Sequence, residues 1–208
     1  VGTDRKFLLT WANAQAKGWD GSVAGKDYFD PTQLPQCNPI ASCPGATRQN
    51  LFEYLMGGAD TTTNDSYRTR SHVLGDIVNA QPVYVKAPSF GYTDTGYATY
   101  KSTNRKAMVY VGANDGFLHA FDATTGNEDW AYMPSLVASS LHELGASNYT
   151  HRYFVDGVIT VGDVNVGGNW KTILVGGLGG GGKGYYALDV TDPTAPQALW
   201  EFTDARLG

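Results

Sequence analysis

The segment Ala120-Phe121-Asp122-Ala123-Thr124-Thr125-Gly126-Asn127-Glu128-Asp129-Trp130 decides the fold of this chain. Asp122 can accept hydrogen bonds from the turn amides that follow it, and Gly126 can supply a positive φ. Ala120 keeps its strand flat enough for close packing of sheets, and Trp130 offers a large planar surface for burial against a neighbouring sheet. The segment therefore predicts a strand, a tight turn and a second strand that docks through its tryptophan.

The same segment resembles the Ala-x-Asp-x-x-Thr-Gly-x-x-x-Trp docking motif of quinoprotein-type propellers. It matches at every defined position, namely Ala120, Asp122, Thr125, Gly126 and Trp130. A docking contact of this kind is structural, so the resemblance predicts a fold and not a chemistry.

A second copy of the pattern follows later in the chain. The runs at 109–112 and 117–122 and Trp130 recur as 173–176, 185–189 and Trp200. The copy keeps Ala187 and Asp189, but Asp192-Pro193 replaces Thr-Gly and Trp200 comes later, so we expect its turn to be built differently. Repeated units of strands that end in tryptophan predict the blades of a β-propeller.

The other runs divide the chain into two parts. Apolar residues at helical spacing predict helices at 5–17 and at 47–56, the latter capped by Thr47 and ended by Gly57-Gly58, with a polar loop at 18–46 between them.

After position 71 the pattern alternates, and strands are predicted at 83–85, 108–111, 117–121, 153–155, 158–161, 173–175 and 185–190. Turn residues at 114–116, 156–157 and 167–169 predict hairpins with positive φ, and 135–145 predicts a short amphipathic helix. We therefore expect a lead-in of helices and loops at 1–70, followed at 71–208 by the first two to three blades of a mainly β, quinoprotein-like propeller whose ring is incomplete.

The composition supports a β-rich domain and excludes several functions. The 208 residues include 26 Gly, 13 Tyr and 5 Trp, which is typical of a domain rich in strands and turns. The net charge is −5, so the chain lacks the basic surface that nucleic-acid binding requires. No window holds the run of about 18 apolar residues that a membrane span needs. We expect neither a nucleic-acid partner nor a membrane span.

Cys37 and Cys43 enclose a short polar segment that contains a proline. One interpretation is a small disulfide formed in an oxidising compartment, and the other is two unrelated thiols. No histidine or third cysteine nearby completes a zinc site, which favours the disulfide.

Two other features could suggest chemistry. The run at 177–184 superficially matches a phosphate-binding loop, but Gly184 stands where a Ser or Thr should bind magnesium, and a strand follows in place of a helix. A flexible hairpin loop fits this run better. His72, His119, His142 and His151 do not cluster in the sequence, so we expect them to pack or to face solvent.

Several stretches are similar to the PilY-type proteins of type IV pili. These are 67–85, which begins Tyr67-Arg68-Thr69-Arg70, then 148–157, 183–193 and the helix that begins at Thr47. The resemblance covers residues 47–208. It implies a non-enzymatic module at the pilus tip that acts in pilus assembly, extension and retraction, and in adhesion to a host or an abiotic surface.

The same resemblance implies a location and partners. The protein would pass through the periplasm to the cell surface and would contact minor pilins and the tip complex, with a host or surface ligand as a further partner. Family members carry a calcium-binding loop in the propeller, but no position here matches it. We therefore expect no cofactor and no metal residue in this chain, and any calcium site would lie in the rest of a longer parent protein.

Two alternatives stay open. The chain could be a fragment of a dehydrogenase that uses pyrroloquinoline quinone, because those enzymes share the docking motif. Such enzymes are expected to use adjacent cysteines and a calcium cluster, whereas Cys37 and Cys43 are separated and lie outside the predicted blades. The other alternative is a periplasmic scaffold propeller.

Overall fold

Short alternating runs of residues form two sheets in the computed structural model, which describes residues 6–9, 31–43, 45–58 and 66–207. The first sheet has the strand order β1-β5-β4-β3-β2, and the second has the order β6-β7-β8-β9. The strands are β1 (Lys6–Leu9), β2 (Val83–Val85), β3 (Met108–Gly112), β4 (Leu118–Asp122), β5 (Glu128–Met133), β6 (Ile159–Val166), β7 (Asn169–Gly177), β8 (Gly184–Asp189) and β9 (Gln197–Thr203). Neighbouring strands are antiparallel, except that β1 runs parallel to β5.

Helices are short in the described residues. They are α1 (Arg48–Leu55), α2 (Tyr97–Lys101) and α3 (Ser135–Ala138), with single 3-10 turns at Pro31–Gln33, Pro35–Cys37, Ile40–Ser42, Leu141–Gly145 and Gly179–Gly181. The predicted helix at 47–56 is confirmed. Thr47 and Asn50 form a reciprocal capping box, and Gly57 follows the last turn with φ +99°.

The internal repeat is visible in the strand register. Ala120 on β4 pairs with Trp130 on β5, and Ala187 on β8 pairs with Trp200 on β9. In both sheets the register shifts directly after the alanine. The two sheets are therefore equivalent strand by strand, with β2 to β5 corresponding to β6 to β9.

The predicted helix at 5–17 is wrong at Lys6–Leu9, the part of it that the structure describes. Lys6–Leu9 form β1, in which Lys6 lies opposite Trp130, and positions 10–17 lie outside the described residues. A short run of consecutive apolar residues suits a helix or a strand, and here pairing with a distant strand decides between them.

The predicted strand at 153–155 is also wrong. The Phe154 amide donates to Asn114 Oδ1 at 3.0 Å, and the Asp156 amide donates to the Leu178 carbonyl at 3.1 Å. These amides therefore bond to loop residues and not to a neighbouring strand. Gly157 does not have the predicted positive φ. Glycine is required there for space, because a Cβ would lie 2.3 Å from the Gly177 carbonyl oxygen. By contrast, the predicted positive φ is confirmed in the turns at 114–116 and 167–169.

The predicted single helix at 135–145 is two pieces. α3 ends before Ser139, and a 3-10 turn follows at Leu141–Gly145. Serine is a weak helix former, which favours the break. Leu141 also packs directly on Gly116, where a Cβ would lie 2.1 Å from Leu141 Cδ2, and this contact fixes the second piece.

Candidate functional site: the contact between the two sheets

Asp122 organises the turn between β4 and β5. Its carboxylate accepts hydrogen bonds from the amides of Thr124 at 2.7 Å and Thr125 at 3.2 Å, and Lys106 Nζ lies 3.0 Å away. Lys106 and these amides hold the pKa of Asp122 at about 2. Gly126 has φ +74°, as the motif predicted. The turn therefore has a fixed shape that positions the start of β5.

Trp130 lies at the contact between the sheets and is 1% exposed. Its Nε1–H donates to the Pro193 carbonyl oxygen at 2.8 Å, and Pro193 belongs to the turn between β8 and β9 of the second sheet. Ala120, which is fully buried, lies opposite Trp130 on β4. These positions suit the predicted docking role, which itself stays a prediction.

A buried tyrosine makes a second link between the same faces. Tyr132 on β5 donates to Glu201 Oε1 on β9 at 2.6 Å, and the ring centroids of Tyr132 and Tyr186 are 5.5 Å apart. The Ser135 amide donates to the same Glu201 oxygen at 2.8 Å, and its hydroxyl also bonds Glu201. Burial and the Glu201 carboxylate raise the pKa of Tyr132 far above its ordinary value, so Tyr132 stays a donor.

The second copy of the motif forms its turn with different partners. Asp189 accepts hydrogen bonds from the Thr191 amide at 3.0 Å and from Lys171 Nζ at 2.6 Å. Burial opposes ionisation of Asp189, but these hydrogen bonds outweigh it and lower its pKa below the ordinary value. Asp192 caps a further turn by accepting from the Thr194 amide at 2.9 Å. The altered sequence therefore keeps the aspartate in its role and changes the loop after it.

Trp200 differs from Trp130 in its surroundings. It lies opposite the buried Ala187, yet it is 43% exposed. Tyr185 and Phe202 share its face of the second sheet and are also exposed, whereas Tyr186 and Leu188 on the opposite face are fully buried. The second sheet thus has one covered face and one apolar open face. Apolar surfaces of this kind are typical of interaction sites.

A polar contact joins the sheets on another side, through the connection between β2 and β3. Tyr97 on α2 donates to Asp163 Oδ2 on β6 at 2.7 Å, and Arg105 Nη1 donates to Thr172 Oγ1 on β7 at 2.6 Å. Thr172 in turn donates to Asp163 Oδ1 at 2.7 Å. Burial, and then the Asp163 carboxylate, raise the pKa of Tyr97 to about 12. Sequence reasoning missed this contact, because no local pattern links α2 with β6.

His119 is a fully enclosed titratable group of the first sheet. It is fully buried on β4, and its ring nitrogens lie 3.0 Å from Asp115 Oδ1 and 2.8 Å from Glu128 Oε1. Burial alone would lower the pKa of His119, but the two carboxylates outweigh it and raise the pKa to about 9. Asp115 also accepts from the Gly75 amide at 3.0 Å. The cluster ties the turn, β5 and the entry segment together and is closed to a substrate.

The other histidines lie elsewhere. His151 Nε2 lies 2.8 Å from Asp76 Oδ2, and His72 and His151 line one open cleft of about 280 Å³. His142 is half-buried on the 3-10 turn. In the glycine-rich run, a Cβ at Gly181 would lie 1.7 Å from the Phe154 carbonyl oxygen, so glycine is required there by space. The strand β8 follows this run, as the sequence indicated.

Cys37 and Cys43 form a disulfide. Next to it, Gln36 Nε2 donates to the Gly145 carbonyl oxygen at 2.8 Å and to the Ser66 carbonyl oxygen at 3.2 Å. Leu34 and Leu51 are buried in the same core as the sheets. The lead-in is thus anchored on the segment after α3, while the predicted boundary at position 70 stays a prediction.

Within the described ranges, no three His, Cys, Asp or Glu side chains are placed to share a metal ion. Among the helices of those ranges, none has the length and hydropathy of a membrane span.

The repeated sheets, in which Trp130 and Tyr132 of one contact the turn and the outer strand of the other, define a partial β-propeller of the quinoprotein-like type. The chain belongs to the family of the PilY1 beta-propeller domain, whose model matches residues 74–206. It is 46% identical over 169 residues to a type IV pilus biogenesis factor PilY1 homolog of Xylella fastidiosa, and the match covers 76% of this chain and 14% of that protein. It is 40% identical over 215 residues to the type IV pilus biogenesis factor PilY1 of Pseudomonas aeruginosa strain PAK, and the match covers 96% of this chain and 18% of that protein.

The crystal structure of the Pseudomonas aeruginosa PilY1 C-terminal domain matches with 46% identity and a TM-score of 0.41, over 52% of this chain and 20% of that one. The chain spans less than a fifth of the length of these two curated relatives. Both of these curated relatives are named type IV pilus biogenesis factors.

Proposed function

We propose that this chain is a non-enzymatic propeller module that acts at the tip of the type IV pilus, in pilus assembly, extension and retraction, and in adhesion. The observation that carries the proposal is the match to the PilY1 propeller family over most of the chain. The relatives are named type IV pilus biogenesis factors, and the same role is proposed here for the longer protein to which such a module would belong.

The internal contacts support a scaffolding role. Lys106, Asp122 and Asp129 fix a turn, His119 is saturated by two carboxylates, and Tyr132 is bound by Glu201. The first two clusters fix turns and strands within the first sheet, and Tyr132 links that sheet to the second. Side chains with such partners are not available to a substrate. The open face around Trp200 is the surface most suited to contact another sheet or protein.

The proposal includes the absence of a cofactor in this chain and a route through the periplasm. The Cys37–Cys43 disulfide suits an oxidising compartment. Minor pilins and the tip complex are the proposed partners, with a host or abiotic surface ligand as a further one. Mass spectrometry of the purified protein tests the cofactor part, since a bound quinone would contradict it.

A chimera tests the pilus role. In a Pseudomonas aeruginosa strain that lacks PilY1, the matching segment of the plasmid-borne PilY1 is replaced by this chain, and surface pili and twitching are measured. We expect the chimera to restore both, while a control without the segment restores neither. A chimera that is produced at the normal level but behaves like the control would contradict the proposal.

A further inference from the structure

The outer edge of the first sheet is covered by a strand from a distant part of the chain. β1 lies beside β5 and runs parallel to it, with Lys6 opposite Trp130 and Leu9 opposite Met133. The first sheet therefore shows that the outer strand of such a unit accepts a parallel fifth strand.

β9 is the equivalent of β5 in the second sheet. Both strands carry the tryptophan opposite the buried alanine, and both follow a register shift at that alanine. Within the part of the chain that the structure describes, β9 pairs with β8 alone. The outer edge of β9 is thus the same kind of edge as that of β5, and no strand of the described residues lies on it.

The sequence of β9 has little of what usually protects an exposed edge. Edges are commonly blocked by lysine, by proline or by very short strands. β9 runs for seven residues, Gln-Ala-Leu-Trp-Glu-Phe-Thr, and contains neither lysine nor proline. Its one charged residue, Glu201, is bound by Tyr132 and Ser135 of the first sheet. The edge is long, mostly apolar and open to main-chain hydrogen bonding.

We propose that β9 is a strand-addition site that binds an extended segment of a separate polypeptide, parallel to β9 and with consecutive apolar residues. Main-chain hydrogen bonds supply the affinity in this mode, and side-chain pockets supply the selectivity. β1, with the sequence Lys-Phe-Leu-Leu, is the example of such a segment in this chain, and its orientation fixes the parallel direction. The inference goes beyond the proposed pilus role and does not depend on it.

The register of β1 predicts where the partner lies. By equivalence with β5, the position of Lys6 falls opposite Trp200 and the position of Leu9 falls opposite Thr203. Thr203 and Gln197 lie at the two ends of β9 and are both exposed. The native cysteines are both in the Cys37–Cys43 disulfide, so a single introduced cysteine is the one reactive thiol.

Disulfide trapping with a synthetic peptide tests the proposal on the full chain. The probe is Arg-Lys-Phe-Leu-Cys-Thr with an activated thiol, offered to Thr203→Cys and to Gln197→Cys. A second probe, Arg-Cys-Phe-Leu-Leu-Thr, carries the thiol at the other end. We expect the first probe to react with Thr203→Cys roughly tenfold faster than the second probe does. We expect neither probe to react faster with Gln197→Cys than with Thr203→Cys.

Controls separate main-chain pairing from other binding. Backbone N-methylation of the first probe should lower its trapping roughly tenfold, the factor for the loss of about two net hydrogen bonds. In the predicted register the position of Leu8 falls opposite Phe202, so Phe202→Lys should weaken trapping by placing a charge beside an apolar residue of the probe. Val158→Lys, a similar change at an exposed residue outside β9, should not. Preference for the second probe, insensitivity to N-methylation, or trapping of Thr203→Cys as a homodimer would each overturn the proposal.

Discussion

The contrast between the two motif tryptophans gives the sharpest test of the docking contact. Trp130 is 1% exposed and donates a hydrogen bond to the Pro193 carbonyl across the sheet contact. Trp200 has the same place in the register but is 43% exposed. We expect Trp130→Phe to destabilise the chain much more than Trp200→Phe.

The magnitude follows from what phenylalanine removes at each site. At Trp130 the indole N–H is lost and the Pro193 carbonyl is left without this donor, which costs about 1–2 kcal/mol. The smaller ring also leaves a cavity between the sheets, which adds about 1–2 kcal/mol. We therefore expect Trp130→Phe to lower the free energy of unfolding by about 2–4 kcal/mol. Trp200 is already partly exposed to solvent, so we expect Trp200→Phe to lower the free energy of unfolding by about 0.5 kcal/mol or less.

Urea unfolding followed by far-ultraviolet circular dichroism measures both variants without relying on tryptophan fluorescence. The shift in midpoint gives the change in free energy if the slope is unchanged. Equal losses in the two variants would refute the reasoning. The contribution of each tryptophan to the free energy of unfolding would then depend on its local sequence and not on the contact between the sheets. A stable Trp130→Phe variant would refute it as well.

Three further predictions concern titratable groups and the disulfide. His119 has a folded pKa of about 9, above the ordinary value of about 6.5, so its contribution is complete below pH 6.5 and is lost as the pH rises through 9. Unfolding free energies measured from pH 6 to 10 should fall across this window in the wild type and in His72→Gln but not in His119→Gln, and a wild-type-like fall in His119→Gln would count against the cluster. Asp122 has a folded pKa of about 2, below its ordinary value of about 4, so its contribution is present above pH 4 and is lost as the pH falls through 2. Thermal melts between pH 5 and 2 should therefore show a smaller acid loss in Asp122→Asn, and an equal loss would contradict the assignment. Replacing Cys37 and Cys43 together with serine should lower the free energy of unfolding by about 2 kcal/mol, the loop-entropy value for so short a loop, and urea unfolding that matches the wild type would disprove this.

Local signals predicted the parts of the fold that depend on neighbouring residues. The cap at Thr47 formed because its side chain and the Asn50 amide that donates to it are within one helical turn. The turn at Asp122 formed for the same reason, since its partners at Thr124 and Thr125 follow directly in sequence. The repeat predicted equivalent strands because the alternating pattern sets which face is buried.

Contacts between distant residues carried no local signal. β1 was mistaken for a helix because its partner β5 lies far along the chain. α2 is a single short helix whose place is fixed by Tyr97 and Asp163, which are 66 residues apart. For the candidate site, the motif identified Trp130 but not the Pro193 carbonyl that receives its hydrogen bond, because the second turn departs from the motif.

The open face around Trp200 and the edge of β9 are separate surfaces, and this separation makes their roles independent. A strand added to the edge lies about 4.8 Å from β9 in the plane of the sheet, whereas a sheet on the open face lies about 10 Å away in the perpendicular direction. A further blade over Trp200 would therefore leave the edge of β9 accessible. The first sheet has the same arrangement, because the second sheet covers Trp130 and β1 lies on the edge of β5. The first sheet already has both kinds of contact at once, so the same pair of contacts can coexist on the second.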